Sequence, residues 1–127
     1  MPSTPWTPEQ LDAIGTADEL EITSMRLDDT LRPYVTIWGV RVGDDIYVRS
    51  AYGGAGWFHR AKTRGIGRVK AGGVERDVTF VAPASDAPEH DAIDAAYRAK
   101  YARYAANVVD TVVGPALRET TYRLEPR

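Results

Sequence analysis

The sequence predicts a single α+β domain, an antiparallel barrel or half-barrel with helices packed outside it. Two segments, residues 34–50 and 66–82, have the alternating pattern of β-hairpins. An amphipathic helical segment follows them, and the 127-residue length fits one domain covering residues 1–127. The predicted order is helix, three strands, short helix, two strands, long helix and strand.

The first helix is predicted from its start signals. Thr7 can cap it, Pro8 suits the first helical position and Gln10 completes a capping box, with a stop near Gly15. Residues 1–6 are expected to be flexible. A strand is predicted next, over residues 19–27.

The first hairpin is expected to turn through a three-residue loop, Gly43–Asp45. That register pairs Val40 with Val48 and gathers the apolar side chains on one face. It also sets Gly39 opposite Arg49, which leaves a gap where a ligand could approach the sheet.

The second hairpin turns at Gly72-Gly73, a strong two-residue turn signal. Arg76 lies among apolar residues, and we expect it either to snorkel at a barrel rim or to bind an anion. The turn predicts two cross-strand ion pairs on the opposite face: Lys70 with Glu75 and Arg68 with Asp77.

The long helix is predicted to run past Tyr104 and to face a core with one stripe. Gly114-Pro115 ends the helical pattern, and residues 120–124 favour a last strand. The stripe comprises Ile93, Tyr97, Tyr101, Tyr104 and Val108.

Composition excludes several classes of protein. The absence of cysteine rules out disulfides and thiolate chemistry, and a cytoplasmic location is expected. No apolar stretch is long enough to span a membrane, and no secretory signal is evident. His59 and His90 lack the spacing of metal ligands, so no metal site and no catalytic residue are predicted.

Positive charge is concentrated in the middle of the chain. Residues 41–76 carry a net charge of +5, and the remainder carries −7. The basic stretch contains the glycine loop Gly53-Gly54-Ala55-Gly56, followed by Trp57. Cations beside exposed backbone N–H groups favour an anionic ligand. The alternative is a plain tight turn with a solvated basic helix.

Several motifs together resemble a small bacterial family of unknown function. They include residues 38–42, 47–50, 53–57, 96–101 and 122–126. More distantly, residues 34–82 are similar to split β-barrel proteins that bind flavins or deazaflavins, in particular the deazaflavin-dependent nitroreductase branch. The resemblance implies a split β-barrel (FMN-binding-like) fold with Ser50, Gly53, Gly54, Trp57 and Arg60 near a cofactor phosphate or ring.

These observations lead to a predicted homodimeric redox protein that binds FMN or a deazaflavin, possibly as an oxidoreductase. Arg49, Ser50, the glycine-loop amides and Arg60 would hold the phosphate, with Trp57 near the ring. Arg49 is the first candidate for a residue that binds the cofactor. One alternative is a non-catalytic dimeric binding module with a basic anion-binding patch. Another is single-stranded nucleic-acid binding through Tyr52, Trp57 and Phe58, although the mildly negative net charge argues against nucleic acid.

Overall fold

Seven antiparallel strands and four α-helices make up the part of the chain that the structure describes. A computed structural model of the protein describes residues 5–51 and 56–127. The helices are α1 (Pro8–Thr16), α2 (Gly56–Ala61), α3 (Glu89–Lys100) and α4 (Ala106–Val109), and 3₁₀ turns cover Asp110–Val112 and Pro115–Thr120. The strands are β1 (Leu20–Ser24), β2 (Val35–Ile37), β3 (Gly39–Val42), β4 (Asp45–Arg49), β5 (Ile66–Ala71), β6 (Val74–Val81) and β7 (Thr121–Pro126).

The sheet curls into a nearly closed barrel. Its strand order is β2-β1-β5-β6-β7-β4-β3, so β2 and β3 are the two edges. These edges are consecutive in the chain and only Trp38 separates them. One residue can join opposite edges only if the sheet bends round until they lie side by side. The predicted barrel with external helices is therefore confirmed, and Trp38 lies at its seam.

Two apolar clusters cover the two faces of β4. Ile46 and Val48 point into the barrel, where they join Leu20, Val69 and Leu124. Tyr47 on the opposite face joins an outer cluster with α3. The buried members of that outer cluster are Val40, Tyr47, Ile93, Tyr97, Tyr101, Val109, Val112 and Val113.

The predicted register of the first hairpin is wrong by one residue. Gly39 pairs with Val48 and Val40 with Tyr47. The turn uses two residues, and Gly43 takes a positive φ of 62° at its first position, which two-residue hairpin turns favour. Gly39 therefore faces the barrel interior, where a Cβ would lie 2.6 Å from Leu20 Cδ2. The expected gap opposite Arg49 does not exist.

The second hairpin has the predicted register. Lys70 pairs with Glu75 and Arg68 with Asp77, and Arg68 Nε lies 2.7 Å from Asp77 Oδ1. Arg76 binds the N-terminal segment: its Nη1 donates to Gln10 Oε1 at 2.8 Å and to the Pro5 carbonyl at 3.2 Å.

The N-terminal segment closes one side of the barrel. The capping box of α1 is present, as predicted. Trp6, which the sequence places in a flexible terminus, is buried and its indole N–H donates to the Leu124 carbonyl at 3.1 Å. None of the described helices is both long enough and apolar enough to cross a lipid bilayer.

Helix α3 is shorter than predicted, although its stripe faces the core as far as Tyr104. The helix ends at Lys100, and Tyr104 reaches Asp18 from the following turn, with its hydroxyl donating to Oδ2 at 2.8 Å. Val108 lies outside the stripe and is 42% exposed.

Buried hydroxyl and amine groups of α3 hold the backbone around the seam. The Tyr97 hydroxyl donates to the Trp38 carbonyl and accepts from the Arg49 N–H, both at 3.1 Å. Tyr101 donates to the Asp18 carbonyl at 2.8 Å. Lys100 Nζ donates to the Gly39 carbonyl at 2.6 Å, and burial lowers the pKa of its ammonium to about 8.

Lys100 gives the fold a pH dependence that can be measured. The pKa of Lys100 is lowered from 10.5 to about 8, so the unfolded chain binds more protons between these values. The contribution of Lys100 to the free energy of unfolding therefore rises with pH across this window. Urea unfolding at pH 7.5 and 9.5 should show a smaller rise in the free energy of unfolding for Lys100→Met than for the wild type. The exposed Lys62→Met is the matched control, and equal rises in all three proteins would contradict the assignment.

Candidate functional site

An apolar cleft opens at the barrel seam, between β2, the residues that flank the glycine loop, and the 3₁₀ turn at Asp110–Val112. Its volume of about 440 Å³ lies within the range of small-molecule sites. Glu19, Thr36 and Thr111 are its polar lining residues with exposed or half-buried side chains. Its apolar walls are Val35, Ile37, Trp38, Ala51, Trp57, Val108 and Val112.

Two tryptophans on the cleft walls are fixed by other aromatic rings. Trp38 stacks on Tyr101 with ring centroids 4.0 Å apart and planes 6° from parallel. Trp57 meets Phe58 edge to face, with centroids 6.0 Å apart. The cleft therefore presents held aromatic surfaces, which suit a planar ligand.

A narrow basic crevice adjoins the cleft and shares Trp57 and Val35 with it. Arg32 and Arg60 line this crevice. Arg32 Nη1 donates to Ser24 Oγ at 2.9 Å and to the Arg60 carbonyl at 3.3 Å, which ties the β1–β2 connection to α2. Arg60 is exposed. Two guanidinium groups thus lie beside the helix that follows the glycine loop.

A second groove, of about 460 Å³, lies at the β5–β6 turn. It is lined by Glu19, Glu21, Glu75 and Lys70, together with Thr36 and the turn residues 71–74. Charged side chains and a turn offer little apolar surface to a ring, so the seam cleft is the better candidate despite its slightly smaller volume.

Arg49, the first candidate from sequence, is buried beneath the cleft and is 1% exposed. Its Nε donates to Thr121 Oγ1 at 2.9 Å, and its Nη1 donates to the Val112 carbonyl at 3.0 Å and to the Asp94 carboxylate. The structure therefore gives this guanidinium a role in holding β4, β7, α3 and the 3₁₀ turn together. A direct part for Arg49 in ligand binding stays a prediction.

His90 completes the network around Arg49. The ring is fully buried, with Nε2 2.8 Å from the Ala84 carbonyl and Nδ1 3.3 Å from Arg49 Nη2. Nε2 must carry the proton to donate to Ala84, which leaves Nδ1 to accept from the guanidinium. Sequence reasoning missed His90 and Asp94. Their spacing of four, one turn before Tyr97 on the helix, was the available signal.

The other predicted site residues have different positions. Ser50 is buried and its N–H donates to the Thr120 carbonyl at 3.1 Å. Gly53 and Gly54 lie outside the described residues. Trp57 lines the cleft and Arg60 lies in the adjoining crevice. The structure thus brings Trp57 and Arg60 together, with Arg49 and Ser50 in the layer below.

Among the described residues, five of the eight cations of the basic stretch form ion pairs, and three of these five pair with acids far away in sequence. Arg41 Nη1 lies 2.7 Å from Asp12 Oδ1, and Arg64 pairs with Asp29. Arg64 also lies beyond the end of α2, so Arg60 and Arg64 do not share one face of this helix. The positive charge of the stretch is dispersed. Among the described residues, Arg60 lies in the crevice beside the cleft together with Arg32, which comes from outside the stretch, and Arg49 lies buried beneath the cleft.

Replacement of Arg49 tests its structural role. Arg49→Met should lower the free energy of unfolding by about 3–5 kcal/mol, because it leaves Asp94 and the Val112 carbonyl without their charged partner. Arg98→Met, at an exposed position on α3, is the matched control and should stay within about 0.5 kcal/mol of the wild type. Urea unfolding measures both. A loss below about 1 kcal/mol for Arg49→Met would show that the network is not a major support of the fold.

The fold is shared with solved structures. The heme storage protein HutZ from Vibrio cholerae superimposes with a TM-score of 0.66 at 12% identity, over 98% of this chain and 92% of HutZ. A conserved hypothetical protein of Mycobacterium tuberculosis, Rv2991, gives 0.61 at 12% identity, over 98% and 82%. An F420 reductase gives 0.53 at 12% identity, over 95% and 96%.

At these identities the likeness shows the fold alone, the α+β split β-barrel that the sequence predicts. No curated protein matches the sequence. Residues 10–124 match the model of a family described as uncharacterized proteins conserved in bacteria, DUF2255. Since this match covers nearly the whole chain, the protein belongs to the DUF2255 family.

Proposed function

We propose that this protein binds a flavin or deazaflavin in the seam cleft and acts as a small redox protein. The observation that carries the proposal is the pairing of two surfaces. An apolar cleft with Trp38 and Trp57 on its walls adjoins a crevice that contains Arg32 and Arg60. A planar ring would match the cleft, and an anionic group on the same molecule would lie at the mouth of the crevice, because the crevice volume of about 10 Å³ leaves no room for a phosphate inside it.

The residues present fit such a cofactor. Val35, Ile37 and Val112 provide apolar surface for a ring, and Trp57 lies where the cleft meets the crevice. Arg60 is exposed on α2, the helix that follows the glycine loop, and its guanidinium can donate to a phosphate oxygen. When bound, a flavin or deazaflavin would supply the hydride chemistry, while this chain would bind, orient and shield it.

Heme fits the cleft less well, although one structural neighbour is named as a heme storage protein. The described lining residues include no histidine, cysteine, methionine or tyrosine side chain that could bind iron. The cleft's polar side chains are Glu19, Thr36 and Thr111, with the buried Arg49 beneath them. A carboxylate and two hydroxyls are better suited to hydrogen bonds with a heterocycle than to an iron porphyrin.

The dispersed charge gives less support to a binding module with a broad anion-binding patch. Arg41, Arg64 and Arg68 each have an acidic partner on the surface. A cytoplasmic location and a homodimer stay predictions, as does an assignment to the nitroreductase type.

Titration of the protein with FMN and with riboflavin tests the proposal. We expect both to bind, with quenching of their fluorescence, and Trp57→Leu to weaken both by about tenfold, since stacking contributes about 1–3 kcal/mol per ring. Leucine keeps apolar bulk against the core, and circular dichroism checks that the variant is folded. A deazaflavin, 5-deazariboflavin, is titrated in the same way. Failure of all three ligands to bind, or unchanged affinity in folded Trp57→Leu, would overturn the proposal.

A second comparison tests where the phosphate is held. Arg60→Ala should weaken FMN several-fold and leave riboflavin unchanged, because only FMN carries the phosphate. Arg98→Ala is the control at a position that does not line the cleft. Equal effects of Arg60→Ala on the two ligands would remove Arg60 from the phosphate site.

A further inference from the structure

The direction of the β2 backbone follows from the hydrogen bonds of its neighbour β1. Met25 N donates to the Ile66 carbonyl at 3.0 Å, which extends the ladder between β1 and β5. Hydrogen-bonded pairs alternate along an antiparallel ladder. Thr23 and Glu21 therefore also bond to β5, where their partners are Arg68 and Lys70.

The alternate residues of β1, which lie between those bonded to β5, form their backbone hydrogen bonds in the other direction, towards β2. Arg32 N donates to the Ser24 carbonyl at 3.1 Å on this side of β1. By the same alternation Ile22 bonds to Val35 and Leu20 to Ile37. Thr36 lies between these two bonded residues, so its backbone N–H and C=O point away from β1, to the free edge of β2.

This free edge borders the cleft. Val35, Thr36 and Ile37 all line it, and β2 has no neighbour beyond β1 in the sheet. Among the described residues, no hydrogen bond from elsewhere in the chain reaches the Thr36 N–H or C=O. An edge strand of this kind offers unpaired donors and acceptors to whatever lies beside it.

A single extended residue offers one donor and one acceptor side by side. The matching group is a lactam or imide, in which a ring N–H stands next to a ring C=O. The pyrimidine ring of flavins and deazaflavins has such an edge, and a porphyrin has none. We propose that the Thr36 backbone binds the lactam edge of a planar heterocycle in the seam cleft. This inference rests on the proposed function and names the chemical feature by which the site would select its ligand.

The charges at the two ends of β2 favour one orientation of that ligand. Glu19 precedes Leu20, which pairs with Ile37, so its carboxylate lies at the Trp38 end of the strand. Arg32 lies at the other end, beside Val35, in the basic crevice. A negatively charged tail would therefore extend past Val35 and Trp57, away from Glu19.

Two ligands that differ by one methyl group test the inference. Lumiflavin and 3-methyllumiflavin both lack a phosphate, so the basic crevice affects neither. Methylation removes the N3–H donor of the lactam and places a methyl group at the same edge. We expect 3-methyllumiflavin to bind at least about fivefold more weakly, the loss typical of one hydrogen bond. Equal affinities would overturn the inference.

Proline substitutions test the strand direction and the contact together. Thr36→Pro removes an N–H that points into the cleft, which an edge strand tolerates, so the variant should fold and bind lumiflavin at least about fivefold more weakly. Arg98→Ala, at an exposed position on α3 that does not line the cleft, is the control and should bind lumiflavin with unchanged affinity. Val35→Pro removes an N–H bonded to β1 and should be clearly less stable than Thr36→Pro.

The outcomes separate this inference from the proposed function. If FMN and lumiflavin bind but neither N3-methylation nor Thr36→Pro weakens lumiflavin, the Thr36 contact is wrong and the cleft remains the site. A Thr36→Pro variant that unfolds while Val35→Pro stays folded would overturn the assigned strand direction. If neither the flavins nor 5-deazariboflavin binds, both proposals fail.

Discussion

The buried guanidinium of Arg49 joins β4 to α3, β7 and the 3₁₀ turn behind the cleft. A charge removed from water is tolerated only if its donors are met by partners of suitable geometry. Asp94, His90, Thr121 and the Val112 carbonyl provide these partners, and they come from α3, β7 and the 3₁₀ turn. Val112 also forms a wall of the cleft. The buried Arg49 guanidinium therefore holds that wall in position through its hydrogen bond to the Val112 carbonyl.

The seam at Trp38 connects the architecture to the candidate site. The interruption between β2 and β3 lets the sheet close on itself, and it leaves β2 with one unpaired edge. The Tyr97 hydroxyl holds the Trp38 carbonyl, and Tyr101 supports the indole ring from below. The outer core therefore stabilises the barrel closure and holds an aromatic wall of the cleft at the same time.

The sequence predicted correctly those elements that are determined by residues close together in the chain. The capping box at Thr7, the Gly72-Gly73 turn and the tyrosine stripe were correct because each depends on residues close in sequence. The first hairpin was misjudged because residues 46–49 are all buried, inside the barrel or beneath α3, so burial did not alternate along the strand.

The site was harder to predict than the fold. The positive segment looked like a single anion-binding patch, but its arginines find acids far away in sequence, such as Asp12 and Asp94. Trp57 and Arg60 were predicted from the glycine loop beside them, and the structure places both at the candidate site, where their role stays a prediction. Trp38 and Thr36 were not predicted to line it, because their position depends on barrel closure, which brings both edges of the sheet to one cleft.

A crystal structure of the protein with bound FMN would decide where the flavin lies. We expect the ring in the seam cleft between Trp38 and Trp57, with its pyrimidine edge at Thr36 and its phosphate beside Arg60. A ring bound in the groove at the β5–β6 turn, or a phosphate held by Arg49 in place of Asp94, would overturn this assignment.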